Sequence, residues 1–283
     1  MTAIRGAAAA ITGAASGIGR ALALELAARG CDLALADRDE AGLQAVATEI
    51  GRASNQKVTV HRVDVGEPQE IADFATAATS AHPGLNILVN NAGVALLGQF
   101  NEIDQAQMDW LMNINFWGVV HATRAFLPHL ARQREAHIVN LSSLFGIIAP
   151  PGQTAYAAAK FAVRGFSESL RHELQMAASP VRLSVVHPGG VATNIVRNSR
   201  AGTGVTDNAR RAQTIERFDA VARTTPAAAA LRIIVGIEKN QPRILIGNDA
   251  RLMDLLQRFR PATYWAVLAR RIERMAKKEK KEI

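Results

Sequence analysis

The chain has a single cysteine, Cys31. It can form no internal disulfide, which fits a reducing compartment and excludes a disulfide-stapled fold. Tyrosine is almost as scarce, with two in 283 residues. No apolar run approaches the length needed to span a bilayer, and the run between Ala7 and Thr12 is too short for the core of a signal peptide. The histidines show no metal-ligating spacing, so no catalytic metal is expected. These absences predict a cytoplasmic protein.

The net charge is +8, yet it is not spread over the chain. Residues 251–283 carry ten Lys and Arg against four acids, a balance of +6. The other 250 residues hold 23 against 21, a balance of +2. A basic surface for nucleic acid would run across the fold, so nucleic acid is not an expected partner. With 48% hydrophobic residues, the chain can bury one large core.

Short aliphatic runs alternate with helical stretches throughout. Strands are predicted at Ala7–Thr12, Leu33–Asp37, Val58–Asp64, Leu85–Asn90, His137–Leu141, Val181–His187 and Arg243–Ile246. Helices are predicted at Gly17–Arg29, Glu40–Ile50, Pro68–Ser80, Asp104–Leu130, Thr154–Ala177 and Pro226–Lys239. Nearly all-apolar strands between helices imply a parallel sheet covered on both faces. The expected architecture is α/β, a doubly wound sheet in three layers. One catalytic domain spans residues 1–250, followed by a basic amphipathic extension over 251–283. The irregular stretch Gly189–Thr225 is too long for an ordinary connection and is expected to form a lid.

The first strand leads directly into Gly13-Ala14-Ala15-Ser16-Gly17-Ile18-Gly19, and then a helix begins. Glycines suit a tight turn where backbone meets ligand. The helix start offers free N–H groups and a positive dipole end to a pyrophosphate. Asp37 ends the second strand, where a carboxylate can bond a ribose diol. It would also repel a 2′-phosphate, which favours NAD over NADP. Arg38 could soften that repulsion, but no Lys or Arg lies in the turn itself.

Tyr156 sits four residues before Lys160, so the two share a helix face. A nearby ammonium stabilises phenolate and lowers a tyrosine pKa. A drop of three units corresponds to about 4 kcal/mol, within reach of a close pair at an effective dielectric of about 20. Such a phenol could exchange protons near neutral pH. Alone, this spacing is common and usually structural.

Taken together, the motifs resemble the short-chain dehydrogenase/reductase family, with the likeness running from about Ala7 to Gly247. Thr12-Gly13-x-x-x-Gly17-x-Gly19 is similar to the family's cofactor turn. Asp64-Val65 corresponds to the pair that contacts adenine. Asn90-Asn91-Ala92-Gly93 corresponds to the segment that steadies the sheet near the adenine ribose. Asn115, Ser143, Tyr156 and Lys160 match the catalytic tetrad. Pro188-Gly189-Gly190-Val191-Ala192-Thr193 matches the strip holding the nicotinamide amide.

This resemblance implies a Rossmann-fold oxidoreductase acting on CH–OH groups. Tyr156 would be general acid or base, Lys160 would lower its pKa and bind ribose, and Ser143 would bond the substrate oxygen. Asn115 would open its helix locally and hold a relay water. Ser142 is a rival to Ser143, which the thirteen-residue spacing to Tyr156 favours. The implied cofactor-binding set is Gly13, Ser16, Gly17, Ile18, Gly19, Asp37, Arg38, Asp64, Val65, Asn91, Ala92, Gly93, Tyr156, Lys160, Pro188, Gly189, Val191 and Thr193. A homodimer or homotetramer through the helices containing Asn115 and Tyr156 is implied as well.

The stretch Leu144–Pro151 carries no charge, which points to a neutral, hydrophobic secondary alcohol or ketone. Six lid arginines, Arg197, Arg200, Arg210, Arg211, Arg217 and Arg223, either face water or meet an anionic group, with water preferred. In the tail, Leu252, Leu255, Leu256 and Phe259 fall at helical spacing. A helix docked on its own domain is preferred, and peripheral contact with an anionic membrane is the alternative. Cys31 and His187 are read as packed structural residues. Two other activities stay open: an NADPH-dependent 3-oxoacyl-type reductase, which Asp37 disfavours, and a catalytically silent nucleotide-binding scaffold.

Overall fold

The computed structural model describes residues 1–205 and 207–270. The chain alternates strand and helix: β1 (Ala8–Thr12), α1 (Gly17–Ala28), β2 (Asp32–Asp37), α2 (Glu40–Ala53), β3 (Val58–Arg62), α3 (Pro68–Ala81) and β4 (Leu85–Asn90). Next come the two-residue β5 (Leu96–Leu97), α4 (Gln105–Met112), α5 (Gly118–Leu130), β6 (Ala136–Leu141), α6 (Thr154–Met176) and β7 (Val181–Pro188). The chain ends with β8 (Arg200–Ala201), α7 (Asn208–Val221), α8 (Pro226–Glu238), β9 (Arg243–Ile246) and α9 (Asn248–Phe259).

Seven strands form one parallel sheet in the order β3-β2-β1-β4-β6-β7-β9. The chain runs outward from β1 to β3, then returns to β4 on the other side of β1. That reversal opens a crevice at the carboxyl ends of β1 and β4, the usual ligand position in such sheets.

Alternate residues along each strand serve opposite faces. On one face Ile11, Leu33, Leu35 and Val89 pack with Leu22 and Leu26 of α1, Val46 of α2 and Ile233 of α8. On the other, Ala8, Ala10, Ala34 and Ala36 belong to the cluster that holds Phe74 of α3 and Phe126 of α5. The alanines leave room for these rings, which meet edge-on at 5.4 Å between centroids. Each fully buried side chain of this size is worth about 1.5–3 kcal/mol. Cys31 is fully buried in the first cluster, and burial pushes its thiol up to about 12, so it is a packing residue.

Three sequence expectations need correction. The predicted helix Asp104–Leu130 is not uniform. A π turn at Asn113–Trp117 separates α4 from α5. The extra residue lets Asn115 turn inward, where it is fully buried.

The stretch 189–225 is not irregular throughout, since it holds β8 and α7. Asp207 caps α7 by accepting the Ala209 N–H, and no glycine or proline interrupts the helix that follows. β8 pairs with β5, which ties residues 200–201 to residues 96–97.

The lid arginines do not simply face water. Arg197 pairs with Asp219 and Arg210 with Glu102. Arg211 donates to the Arg197 and Ser199 carbonyls, and Arg200 lies 3.8 Å from the Trp110 ring centre. These four arginines tie residues 197–211 to one another, to Asp219 of α7, and to Glu102 and Trp110.

The tail docks on its own domain as far as it is described. Buried Asp254 of α9 pairs with Arg243 of β9 at 2.6 Å, and the Ala149 N–H donates to the Tyr264 hydroxyl at 2.9 Å. The basic run predicted over residues 271–283 lies outside the described residues. No described helix is long and apolar enough to cross a membrane.

Candidate active site

The crevice holds a cavity of about 700 Å³. Of the twenty site residues predicted from sequence, all but Gly19 and Asn115 line it. Those two sit directly behind its wall. Gly19 packs so closely on the turn that an added Cβ would lie 2.1 Å from the Gly13 carbonyl oxygen.

At the floor, the turn after β1 is stapled to the loop after β4. Asn91 donates its side-chain amide to the Thr12 and Gly13 carbonyls at 3.0 and 2.9 Å. The Thr12 hydroxyl accepts the Asn91 and Ala92 N–H groups in return. Gly13 has φ +67°, and a Cβ there would come within 2.7 Å of the Ala92 Cα. The α1 start therefore faces the cavity as a tightly packed cradle of the kind that suits an anion. Ser16 begins that helix with a hydroxyl free of any capping bond.

Asp37 stands at the next corner. Its Oδ2 accepts the Ala15 N–H at 3.1 Å and its Oδ1 accepts the Asp39 N–H. The carboxylate thus borders the turn itself and leaves little room for a second anion. Asp64 bonds the Gly66 N–H, which shapes the wall near Val65. Glycine backbone, a helix start and a carboxylate at the end of the next strand, beside a strand switch point, suit an adenine dinucleotide.

At the far end lie Ser143, Tyr156 and Lys160. β6 delivers the serines and α6 delivers the other two. Ser142 and Ser143 separate by direction. Buried Ser142 donates to the Lys160 carbonyl at 2.8 Å. Ser143 accepts the Phe145 N–H at 3.1 Å and lies on the cavity surface. His187 steadies this loop, since its Nδ1 donates to the Ser143 carbonyl at 3.0 Å. A carbonyl can only accept, so that nitrogen carries the proton.

The electrostatics differ from the sequence expectation in one respect. Burial raises the Tyr156 pKa above the ordinary phenol value, and the neighbouring Ser143 hydroxyl pulls it part of the way back. Lys160 is itself buried, and burial lowers it to about 8. Its Nζ lies 5.7 Å from the Tyr156 ring centre and donates to the Leu141 carbonyl at 3.0 Å. In the protein alone, desolvation dominates both groups.

Asn115 accepts the Val94 N–H at 2.8 Å and donates to the Val94 carbonyl at 2.9 Å. Gly93 fills the narrow gap beside it: a Cβ there would lie 3.2 Å from Asn115 Oδ1 and 3.5 Å from Lys160 Nζ. A buried polar chain, Asn90 to Asn140 to Ser167, braces β4, β6 and α6 beneath the site.

Sequence reasoning missed Leu96, Phe218 and Asp249, which also line the cavity. Leu96 and Phe218 arrive from β5 and the lid helix α7, and neither segment carries a motif. Asp249 reads from sequence only as an acid at a helix start.

A Rossmann-type sheet with this cradle and this Ser, Tyr and Lys cluster defines the class of nicotinamide-dependent α/β oxidoreductases. The family model for short chain dehydrogenases matches residues 7–204. The chain belongs to the short-chain dehydrogenase/reductase family. It is 41% identical to SadH of Mycobacterium tuberculosis over 269 residues, covering 95% of this chain and 96% of that protein. It is 28% identical to dehydrogenase/reductase SDR family member 7B of Bos taurus, covering 98% and 84% of the two chains. A crystal structure of a Burkholderia phymatum short-chain dehydrogenase/reductase in complex with NAD superposes with a TM-score of 0.82 at 30% identity, covering 91% and 95% of the chains.

Proposed function

We propose that the chain transfers a hydride between NAD(H) and a neutral, hydrophobic secondary alcohol or ketone. The observation that carries this reading is that Ser143, Tyr156 and Lys160 share one cavity with the phosphate cradle and Asp37. The nicotinamide supplies the hydride chemistry, and the protein supplies orientation and proton handling.

Gly13, Ser16, Gly17 and Ile18 hold the pyrophosphate, Asp37 the adenine ribose, and Gly189, Val191 and Thr193 the nicotinamide amide. Ser143 holds the substrate oxygen. Tyr156 accepts the alcohol proton in oxidation and returns it in reduction. Lys160, cationic below about pH 8, would bind the nicotinamide ribose and stabilise the phenolate. Asn115 holds the relay water that connects Lys160 to solvent.

The substrate end supports a neutral, greasy ligand: Leu96, Leu144, Phe145, Pro151, Val196 and Phe218 line it. The lid over 189–225 closes this end. The bonding of Asp37 to the turn supports NAD, because a 2′-phosphate there would meet the carboxylate. For the same reason the NADPH-dependent 3-oxoacyl reductase is the weaker reading. Exposed Trp117 of the π turn and Phe161 of α6, 47% and 38% accessible, support a homo-oligomer through this face.

The test is an absorbance screen at the NADH band over steroids, aliphatic secondary alcohols and 3-hydroxyacyl thioesters, with NAD and with NADP. Turnover of neutral alcohols with NAD is expected. Turnover confined to thioesters with NADP would overturn the substrate and cofactor assignment. Cofactor binding without turnover on any class would favour the silent scaffold.

A further inference from the structure

The strip from Pro188 to Thr193 is held from behind by a carboxylate. Asp249, in the first turn of α9, reaches into the cavity wall. Its Oδ2 accepts the Gly190 N–H at 2.7 Å. Two glycines make room for it. A Cβ on Gly189 would lie 2.2 Å from both carboxylate oxygens, and one on Gly247 would lie 2.2 Å from Oδ1. The Gly189 N–H is taken by the Ile246 carbonyl, and the Gly190 carbonyl accepts the Thr224 N–H. The strip is therefore fixed on all sides, and the group nearest the bend of its backbone is a fixed negative charge.

A nicotinamide held by this strip would bring the carboxylate a ligand whose own charge depends on its redox state. The nicotinamide ring is cationic in NAD+ and neutral in NADH. A carboxylate near the ring would attract only the oxidised form. The positive end of α9 favours an anionic side chain at this position. Asp249 is only partly buried, so its field is screened but not abolished.

Resting on the cofactor site proposed above, we infer that Asp249 is a positioning residue that biases this site toward oxidised nicotinamide. At equal cofactor concentrations the bias loads the site with NAD+ ahead of NADH. By Coulomb's law in a screened, partly wet site, its size is about three- to tenfold in relative affinity.

The test measures dissociation constants of NAD+, NADH and ADP-ribose on the full chain and on two variants, Asp249→Asn and Asp249→Ser. The Asn variant keeps an oxygen acceptor for the Gly190 N–H and removes the charge. ADP-ribose lacks the nicotinamide and reports on the rest of the cleft. The expected result is a three- to tenfold loss of NAD+ affinity relative to NADH in both variants, with ADP-ribose binding unchanged. An unchanged NAD+ to NADH ratio overturns the inference, and so does equal weakening of all three ligands. If the native chain binds neither NAD+ nor NADH, the cofactor reading itself fails, which separates the two failures.

Discussion

The Lys160 ammonium, buried under α6, donates to the Leu141 carbonyl at 3.0 Å. That bond holds a charge where desolvation opposes it, and the lysine falls to about 8 as a result. A shift from 10.5 to about 8 corresponds to roughly 3 kcal/mol of strain on the folded state. Below pH 8 the folded and unfolded chains both carry the proton, so the full cost is present. Between pH 8 and 10.5 the folded chain has released its proton and the unfolded chain has not, so stability rises with pH. Above 10.5 both are neutral and the cost is gone.

Replacing this lysine should therefore stabilise the protein while abolishing turnover. Lys160→Met is expected to gain about 2 kcal/mol at pH 7, after allowing for the orphaned Leu141 carbonyl. The gain should fall as pH rises above 8 and vanish before pH 10.5, where only the lost Leu141 bond remains. Urea midpoints at the two pH values check this. A variant destabilised at pH 7, or a gain independent of pH, contradicts the assignment of burial as the controlling force.

Two buried histidines predict the acid limit of the fold. His137 and His187 are each lowered to about 4, burial being the main cause. Both stay neutral in the folded chain while their unfolded counterparts gain protons below 6.5. Stability is fully present above pH 6.5 and is lost as pH falls toward 4, by up to roughly 3 kcal/mol per histidine. Denaturant titrations at pH 7, 5.5 and 4.5 should show this, and His187→Asn should flatten the slope. An Asn variant with the native slope would remove His187 from the account.

Helix α9 predicts a surface property. Leu252, Leu255 and Phe259 lie at helical spacing and are 49%, 53% and 79% accessible, beside Arg251, Arg258 and Arg260. Co-sedimentation with phosphatidylglycerol vesicles is expected to exceed that with phosphatidylcholine vesicles. Leu255→Glu with Phe259→Glu should lower it several-fold, since each lost apolar contact and added acid opposes anionic lipid. Equal sedimentation of native and variant chains would refute a membrane role for this face.

The sheet was legible because buried parallel strands are mostly apolar, and Leu85–Asn90 carries that pattern through Ile87, Leu88 and Val89. The cradle was legible because glycine spacing, strand and helix coincide within a dozen residues. Other features depend on distance in the chain. Leu96–Leu97 becomes a strand only when Arg200–Ala201 pairs with it. Helix α7 has only a sparse apolar stripe, Ile215, Phe218 and Ala222, among many charges, and its start is set by the Asp207 cap. The i, i+4 relation of Tyr156 and Lys160 was readable, but the desolvation that dominates both groups is a property of the folded cavity. Asp249 matters only because Gly189 and Gly247, sixty and two residues before it, leave space for its carboxylate.

The central claim is that Tyr156 handles the proton in a hydride-transfer reaction. Its most direct test is Tyr156→Phe, assayed for turnover of the best alcohol found and for NADH affinity by fluorescence. The account predicts NADH binding within about twofold of native and a fall in kcat of about a hundredfold or more, the range of general acid–base catalysis. Turnover within about threefold of native, with the cofactor still bound, would contradict it.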